Sequence, residues 1–146
     1  MLTTAVKAIK MLKRVEVVAA IVVDSQQRLL MAQRADWQHQ GGKWEFPGGK
    51  IEASETHLQA LTRELEEEVG LHLEPNSCEL FKAVHHDYAD KQVSLYFYLV
   101  KKFSGIAKGM EGQPILWVDS KTLPQLTIPD ANQIIADALL VAWPTN

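Results

Sequence analysis

The sequence predicts an α/β sandwich built on a mixed β-sheet. Three observations carry this. Val15–Val23 is an apolar run rich in valine and isoleucine, broken only by Glu16, as a buried strand requires. Gln92–Val100 alternates, with Val93, Leu95, Phe97 and Leu99 on one face and Tyr96 and Tyr98 on the other. Between these two strands, Leu58, Leu61, Leu65 and Val69 recur at helical spacing. Short turns joining neighbouring strands imply hairpins, so the sheet is not purely parallel.

The remaining elements follow in order. Residues 1–13 are basic and weakly amphipathic, and read as an N-terminal extension to a single domain spanning 1–146. After the first strand, Asp24–Gln27 is a polar turn and Arg28–Gln33 returns as a second strand, giving a hairpin. Residues 35–43 form a loop with Trp37, His39 and a Gly41-Gly42 pair. Trp44–Pro47 is a short strand that Pro47-Gly48-Gly49 stops. Thr56, with Gln59 three residues on, is a capping box for the central helix, and Gly70 is its C-cap. Leu80–Asp87 and Ile115–Val118 read as strands, and 104–114 as a glycine-rich loop. Pro129-Asp130 opens a last helix with Asp130 as N-cap, and Ile134, Ile135, Ala138, Leu139 and Ala142 supply its apolar face.

Bulk properties narrow the function. At 146 residues, 47% hydrophobic and 23% charged, the chain has ordinary globular composition. A net charge of −3 disfavours a nucleic-acid polymer as partner, because domains that bind one are generally basic. Val15–Val23 is too short to span a bilayer and no small-residue cleavage site follows it, so no membrane or targeting segment is expected. Cys78 is the only cysteine, which excludes an internal disulfide and fits a reducing, cytoplasmic setting. A monomer is expected.

The chemistry sits on the central helix. Glu64, Glu67 and Glu68 fall at i, i+3 and i+4 and share a face, about a quarter turn from the apolar stripe. Crowded carboxylates repel unless a cation lies among them. A hard divalent ion, Mg²⁺ or Mn²⁺, suits such oxygens and usually shares its site with substrate phosphates. Gly48 and Gly49, just upstream, let the backbone approach a ligand closely. Exchanging Glu67 for glutamine should therefore lower turnover without unfolding the chain, and relieve repulsion in the metal-free fold.

Gly49, Glu55, Arg63, Glu64, Leu65, Glu67, Glu68, Gly70 and Leu71 fill every fixed position of the Nudix box, and the chain resembles the Nudix hydrolases from about residue 15 to 142. Trp44–Glu52, Val93–Val100, Glu111-Gly112-Gln113-Pro114 and Pro129–Asn132 resemble, in the same order, the family branch that clears oxidised guanine nucleotides. The resemblance implies a Nudix-type α/β/α sandwich. It implies a Mg²⁺-dependent hydrolase converting 8-oxo-dGTP or 8-oxo-GTP to the monophosphate and pyrophosphate, a nucleotide-pool sanitising role. Glu64, Glu67 and Glu68 match the family's metal ligands, joined by the Gly48 carbonyl and by Glu111 from a loop. Glu64 and Glu67 are the candidates for catalytic base. Gly49, Glu55, Arg63 and Gly70 match structural positions, with Arg63 pairing box carboxylates. Lys50 falls near the phosphates.

For the base, Asn132 carries a donor and an acceptor, enough for two adjacent edge groups of a purine. Phe46 and Arg34 match positions that line the base pocket in that branch, whereas Asp130 stands where a second proline is common. Two other readings remain: a pyrophosphohydrolase for CTP or a modified pyrimidine nucleotide, and a non-catalytic binding module. His85-His86 point to opposite faces of a strand and read as structural. Asp87 and Asp90 read as a turn, and Trp37, Trp117 and Trp143 as packing residues.

Overall fold

The structure is a computed structural model that describes residues 13–146. The N-terminal extension expected at 1–13 lies outside the described residues, except for Lys13. Lys13 opens β1 (Lys13–Val22), which is followed by β2 (Leu29–Gln33), β3 (Trp44–Glu45), β4 (Gly48–Lys50) and helix α1 (His57–Val69). Next come β5 (His72–Leu73), β6 (Glu79–Asp87), β7 (Lys91–Val100), β8 (Phe103–Ser104), β9 (Ile115–Val118) and helix α2 (Asp130–Val141).

β1 organises the core because it is apolar on both faces. Ala19, Ile21 and Val23 pack with Leu29, Met31, Phe46, Phe97, Ile135 and Leu139 on one side. Val18, Ala20 and Val22 pack with Leu30, Leu61, Leu65, Val69 and Val100 on the other. One cluster takes in α2 and the other α1, which makes an α/β/α arrangement. As expected, the Leu95, Phe97 and Leu99 side of β7 joins the first cluster, while Tyr96 and Tyr98 join the second. The main sheet runs β4-β1-β7-β6 and is mixed: β1 pairs parallel with β7 and antiparallel with β4.

The first hairpin is corrected. Asp24 does build the turn, its carboxylate accepting from the Gln26 and Arg28 backbone N–H groups at 3.0 and 2.8 Å. Yet a single bridge, Val23 to Leu29, joins the strands. β2 leaves for a second sheet of order β3-β2-β9, while β7 runs along one edge of β1 and β4 pairs Val17–Ala19 on the other. Pro47-Gly48-Gly49 does not end the strand structure either. Gly48–Lys50 is itself β4, with Gly48 opposite Ala19 and Lys50 opposite Val17.

Helix α1 carries the expected capping box: Thr56 Oγ1 accepts from Gln59 N, and Gln59 Oε1 accepts from Thr56 N. Helix α2 differs in detail. Pro129 occupies the N-cap position and Asp130 is the first helical residue, with no side-chain cap. Its inner face is Asn132, Ile135, Ala136 and Leu139, and Ile134 is 45% exposed, so the apolar stripe is rotated from the one its sequence suggests. Among the described residues, no helix is long and apolar enough to cross a membrane.

Gly70 ends α1 with φ +70°, and its N–H bonds back to the carbonyls of Leu65 and Glu66. A side chain there is strained and would crowd Met110 Sδ at 3.2 Å. Gly70→Ala is expected to cost about 1–2 kcal/mol, or roughly 2–8 °C in Tm, read by thermal unfolding followed by circular dichroism.

Candidate active site

α1, β4, the 105–114 loop and the start of α2 meet at one open cleft of about 1110 Å³. Gly48, Gly49, Lys50, Glu64, Glu68 and Glu111 line it, together with Arg34 and Asn132. Glu67 does not; it is 61% exposed on the outer flank of α1.

The cation that the acidic helix needs is present in the chain. Arg63 donates to both Glu55 oxygens at 2.7 and 2.8 Å, to Glu64 Oε1 at 2.7 Å and to Glu67 Oε2 at 3.4 Å. Its remaining donor reaches the Lys50 carbonyl at 3.0 Å. The Arg63 hydrogen bonds, followed by the Glu52 backbone N–H, hold the Glu55 carboxyl down at about 2. In return, chiefly through the Glu55 bonds, the guanidinium is held still more firmly protonated. Glu64 therefore stands over Gly49. A Cβ at Gly49 would lie within 2.5 Å of both Glu64 oxygens, so only glycine leaves room for that carboxylate.

Glu68 is placed differently. Its Oε2 accepts from the Gly48 N–H at 3.0 Å. The Gly48 N–H thus ties the first residue of β4 to an α1 carboxylate. Burial first, then the Glu45, Glu64 and Glu111 carboxylates, push the Glu68 carboxyl up to about 8, against the pull of the Gly48 bond. Glu68 is thus the inward carboxylate, and the crowding of its neighbours acts on it.

Glu111 reaches this group because α1 ends beside its loop. The Glu68 carbonyl, left over at the helix end, accepts from Met110 N at 3.0 Å and from Gln113 Nε2 at 2.8 Å. Gln113 Oε1 then accepts from Glu111 N at 2.9 Å. Among the described residues, no three His, Cys, Asp or Glu side chains already converge closely enough to clasp an ion. The donor set still suits a hard divalent cation: carboxylate oxygens of Glu64, Glu68 and Glu111 face one cleft, and burial, then the neighbouring carboxylates, makes Glu68 resist ionisation.

At the substrate end, Asn132 is 7% exposed, the one buried polar residue among those described. Its Oδ1 accepts from Phe46 N at 3.1 Å instead of capping its own helix. The Phe46 ring lies in the core against Phe97 and does not line the cleft. Arg34 lines the cleft but is engaged, bonding Glu45 Oε2 and the His39 carbonyl, both at 2.8 Å. Glu45 was not anticipated. Burial raises its pKa, against the hydrogen bond and charge of Arg34, and a charge between the apolar Trp44 and Phe46 is the signal the sequence offers. Lys91 and Tyr88, on the turn that Asp87 and Asp90 mark, also line the cleft. Trp117 and Trp143 pack as expected, whereas Trp37 is 86% exposed.

Residues 18–138 match the NUDIX domain. The chain belongs to the Nudix family. Among Nudix relatives it is 36% identical to the 8-oxo-dGTP diphosphatase of Escherichia coli K12, over 84% of this chain and 93% of that one. It is 33% identical to the CTP pyrophosphohydrolase of the same organism, over 88% of this chain and 93% of that one. A structure solved in a structure and function analysis of MutT from Aliivibrio salmonicida and Vibrio cholerae superposes with a TM-score of 0.77 at 38% identity, covering 88% of this chain and 98% of that one.

The raised Glu68 carboxyl has a stability consequence in metal-free protein. A carboxyl shifted from 4.5 to about 8 costs nothing below 4.5, and destabilises progressively as pH rises through about 8. Glu68→Gln keeps the acceptor for Gly48 N and removes the charge. With chelator present it is expected to raise stability on the order of 1–3 kcal/mol at pH 8–9 and hardly at all at pH 4.5. Denaturant titration at the two pH values reads the difference.

Proposed function

We propose that this Nudix hydrolase is a Mg²⁺-dependent nucleoside triphosphate diphosphatase whose substrate is 8-oxo-dGTP or 8-oxo-GTP. The products are the nucleoside monophosphate and pyrophosphate, and the role is clearance of oxidised nucleotides. The observation that carries the base assignment is the Asn132–Phe46 bond. An amide oxygen has two lone pairs, and Phe46 N–H uses one. The second lone pair and the Nδ2 donors remain for a ligand at the cleft wall. Oxidation at C8 turns guanine N7 from an acceptor into an N–H donor beside the O6 acceptor. An acceptor and a donor on one fixed amide complement that edge and oppose the unoxidised one. Two relatives support different bases, the 8-oxo-dGTP diphosphatase and the CTP pyrophosphohydrolase, and the amide favours the first.

At the other end, Lys50 and the carboxylate group serve the phosphates. A divalent ion held by Glu64, Glu68 and Glu111 would neutralise phosphate charge and lower the pKa of a bound water. Arg63 fixes the direction of Glu64, and Glu64 lies inside the cleft where a water must lose its proton. Glu67, turned outward, would have to leave Arg63 and change rotamer to join in.

Steady-state rates on 8-oxo-dGTP, dGTP and CTP with Mg²⁺, with product analysis, test the substrate. The expected kcat/KM for 8-oxo-dGTP exceeds that for dGTP by at least about 100-fold, since the wrong base leaves buried polar groups unpaired. A CTP rate above both would replace the guanine assignment. Glu64→Gln is expected to lower kcat by at least about 100-fold with the fold intact by circular dichroism. Full Mg²⁺-dependent turnover in that variant would remove Glu64 from catalysis, and a wild-type chain that binds nucleotides without turning them over would be a binding module.

A further inference from the structure

Nine large hydrophobic side chains are exposed among the described residues, and only two of them are aromatic, Trp37 and Tyr88. Both line the cleft, from different elements: Trp37 on the loop after β2, Tyr88 on the turn between β6 and β7. Isolated surface hydrophobics are ordinary, but the confinement of both aromatic ones to the cleft is not. We propose that Trp37, aided by Tyr88 from the turn between β6 and β7, stacks on the base of the bound nucleotide. This rests on the reading that the cleft takes a nucleotide.

The need for such a residue follows from the shape of the cleft. At about 1110 Å³ it exceeds the roughly 300–1,000 Å³ of pockets that enclose a small ligand. Asn132 and the Phe46 backbone address the edge of a base and leave its faces bare. The wall beside Asn132 offers Pro129 and Ala131, neither of which is aromatic.

The loop backbone that carries Trp37 is fixed. Gln38 closes the turn around it, its N–H donating to the Ala35 carbonyl at 3.0 Å and its Oε1 accepting from Ala35 N at 2.9 Å. Arg34 ties the same loop to the cleft floor through the His39 carbonyl and Glu45. Glu45 precedes Phe46, whose N–H carries Asn132. The base-edge group and the proposed base-face group are thus joined by one run of bonds. Tyr88 is steadied by Lys91, whose Nζ lies 5.5 Å from the ring centroid.

Stacking is indifferent to base identity, which separates this proposal from the choice of substrate. Calorimetric Kd values would be measured for 8-oxo-dGMP, dGMP, CMP and inorganic pyrophosphate on wild type, Trp37→Ala and Trp37→Phe. Trp37 is almost fully exposed, so the variants should fold, as their Tm values will show. The expected result is a roughly 5- to 100-fold weaker Kd for the tightest monophosphate in Trp37→Ala, recovery to within about 3-fold in Trp37→Phe, and an unchanged pyrophosphate Kd. Equal monophosphate affinity in Trp37→Ala and wild type overturns the proposal, as does an equal loss for pyrophosphate. If CMP is the tight ligand, the guanine assignment fails, while the same loss on CMP upholds stacking. A wild-type chain that binds no monophosphate overturns both.

Discussion

The Arg63 guanidinium is the interaction on which the site depends. One side chain spends its donors on Glu55, Glu64, Glu67 and the Lys50 carbonyl. It thereby ties α1 to the β4 strand and to the loop that precedes the helix. Without a cation, three glutamates on one face would push apart or distort the helix. With Arg63 among them, Glu64 is held over Gly49, where no larger residue leaves space. The low Glu55 carboxyl, at about 2, keeps this pairing charged far into the acid range.

A second constraint operates at the other end of α1. Helix ends leave carbonyls without partners, and here those of Glu68 and Val69 are met by the 105–114 loop. That use of an ordinary structural necessity brings Glu111 to carboxylates more than forty positions earlier in the chain. Gly70 makes the sharp exit that lets the loop return. The resulting acidic group is unequal: Glu68 is inward and hard to ionise, Glu64 is neutralised by Arg63, and Glu67 faces outward. Such inequality suits a site that completes itself around a metal and phosphates.

The substrate end is built from groups that hold each other. Arg34 is bound to Glu45 and to its own loop, and Asn132 is bound to the Phe46 backbone. These bonds join β3, the loop after β2 and the first turn of α2. The amide that would read a base is therefore fixed before any ligand arrives, which lowers the ordering cost of binding.

Much of this was legible in the sequence because it depends on neighbours a few positions apart. The apolar faces of β1 and β7, the Thr56–Gln59 capping box, the Gly70 C-cap and the Glu64/Glu67/Glu68 face all follow from local periodicity and backbone chemistry. The residues of the Nudix box, which carry the resemblance to the family, likewise lie within one short stretch of chain. Periodicity describes an element by itself and is silent on which of its edges and faces are already taken. β2 pairs with β3 and β9 instead of along β1, and Gly48–Lys50 became a strand because β1 offered an edge at Val17–Ala19. The inner face of α2 was set by what it packs against, so Asn132 and Ala136 turned in and Ile134 turned out. The sequence by itself determined the elements, the caps and the acidic helix face, because those arise within a few bonds of each residue. Only the tertiary structure decided that Glu68 is the inward carboxylate, that Asn132 holds Phe46 and that Trp37 borders the cleft, because each depends on groups that folding brings together from distant parts of the chain.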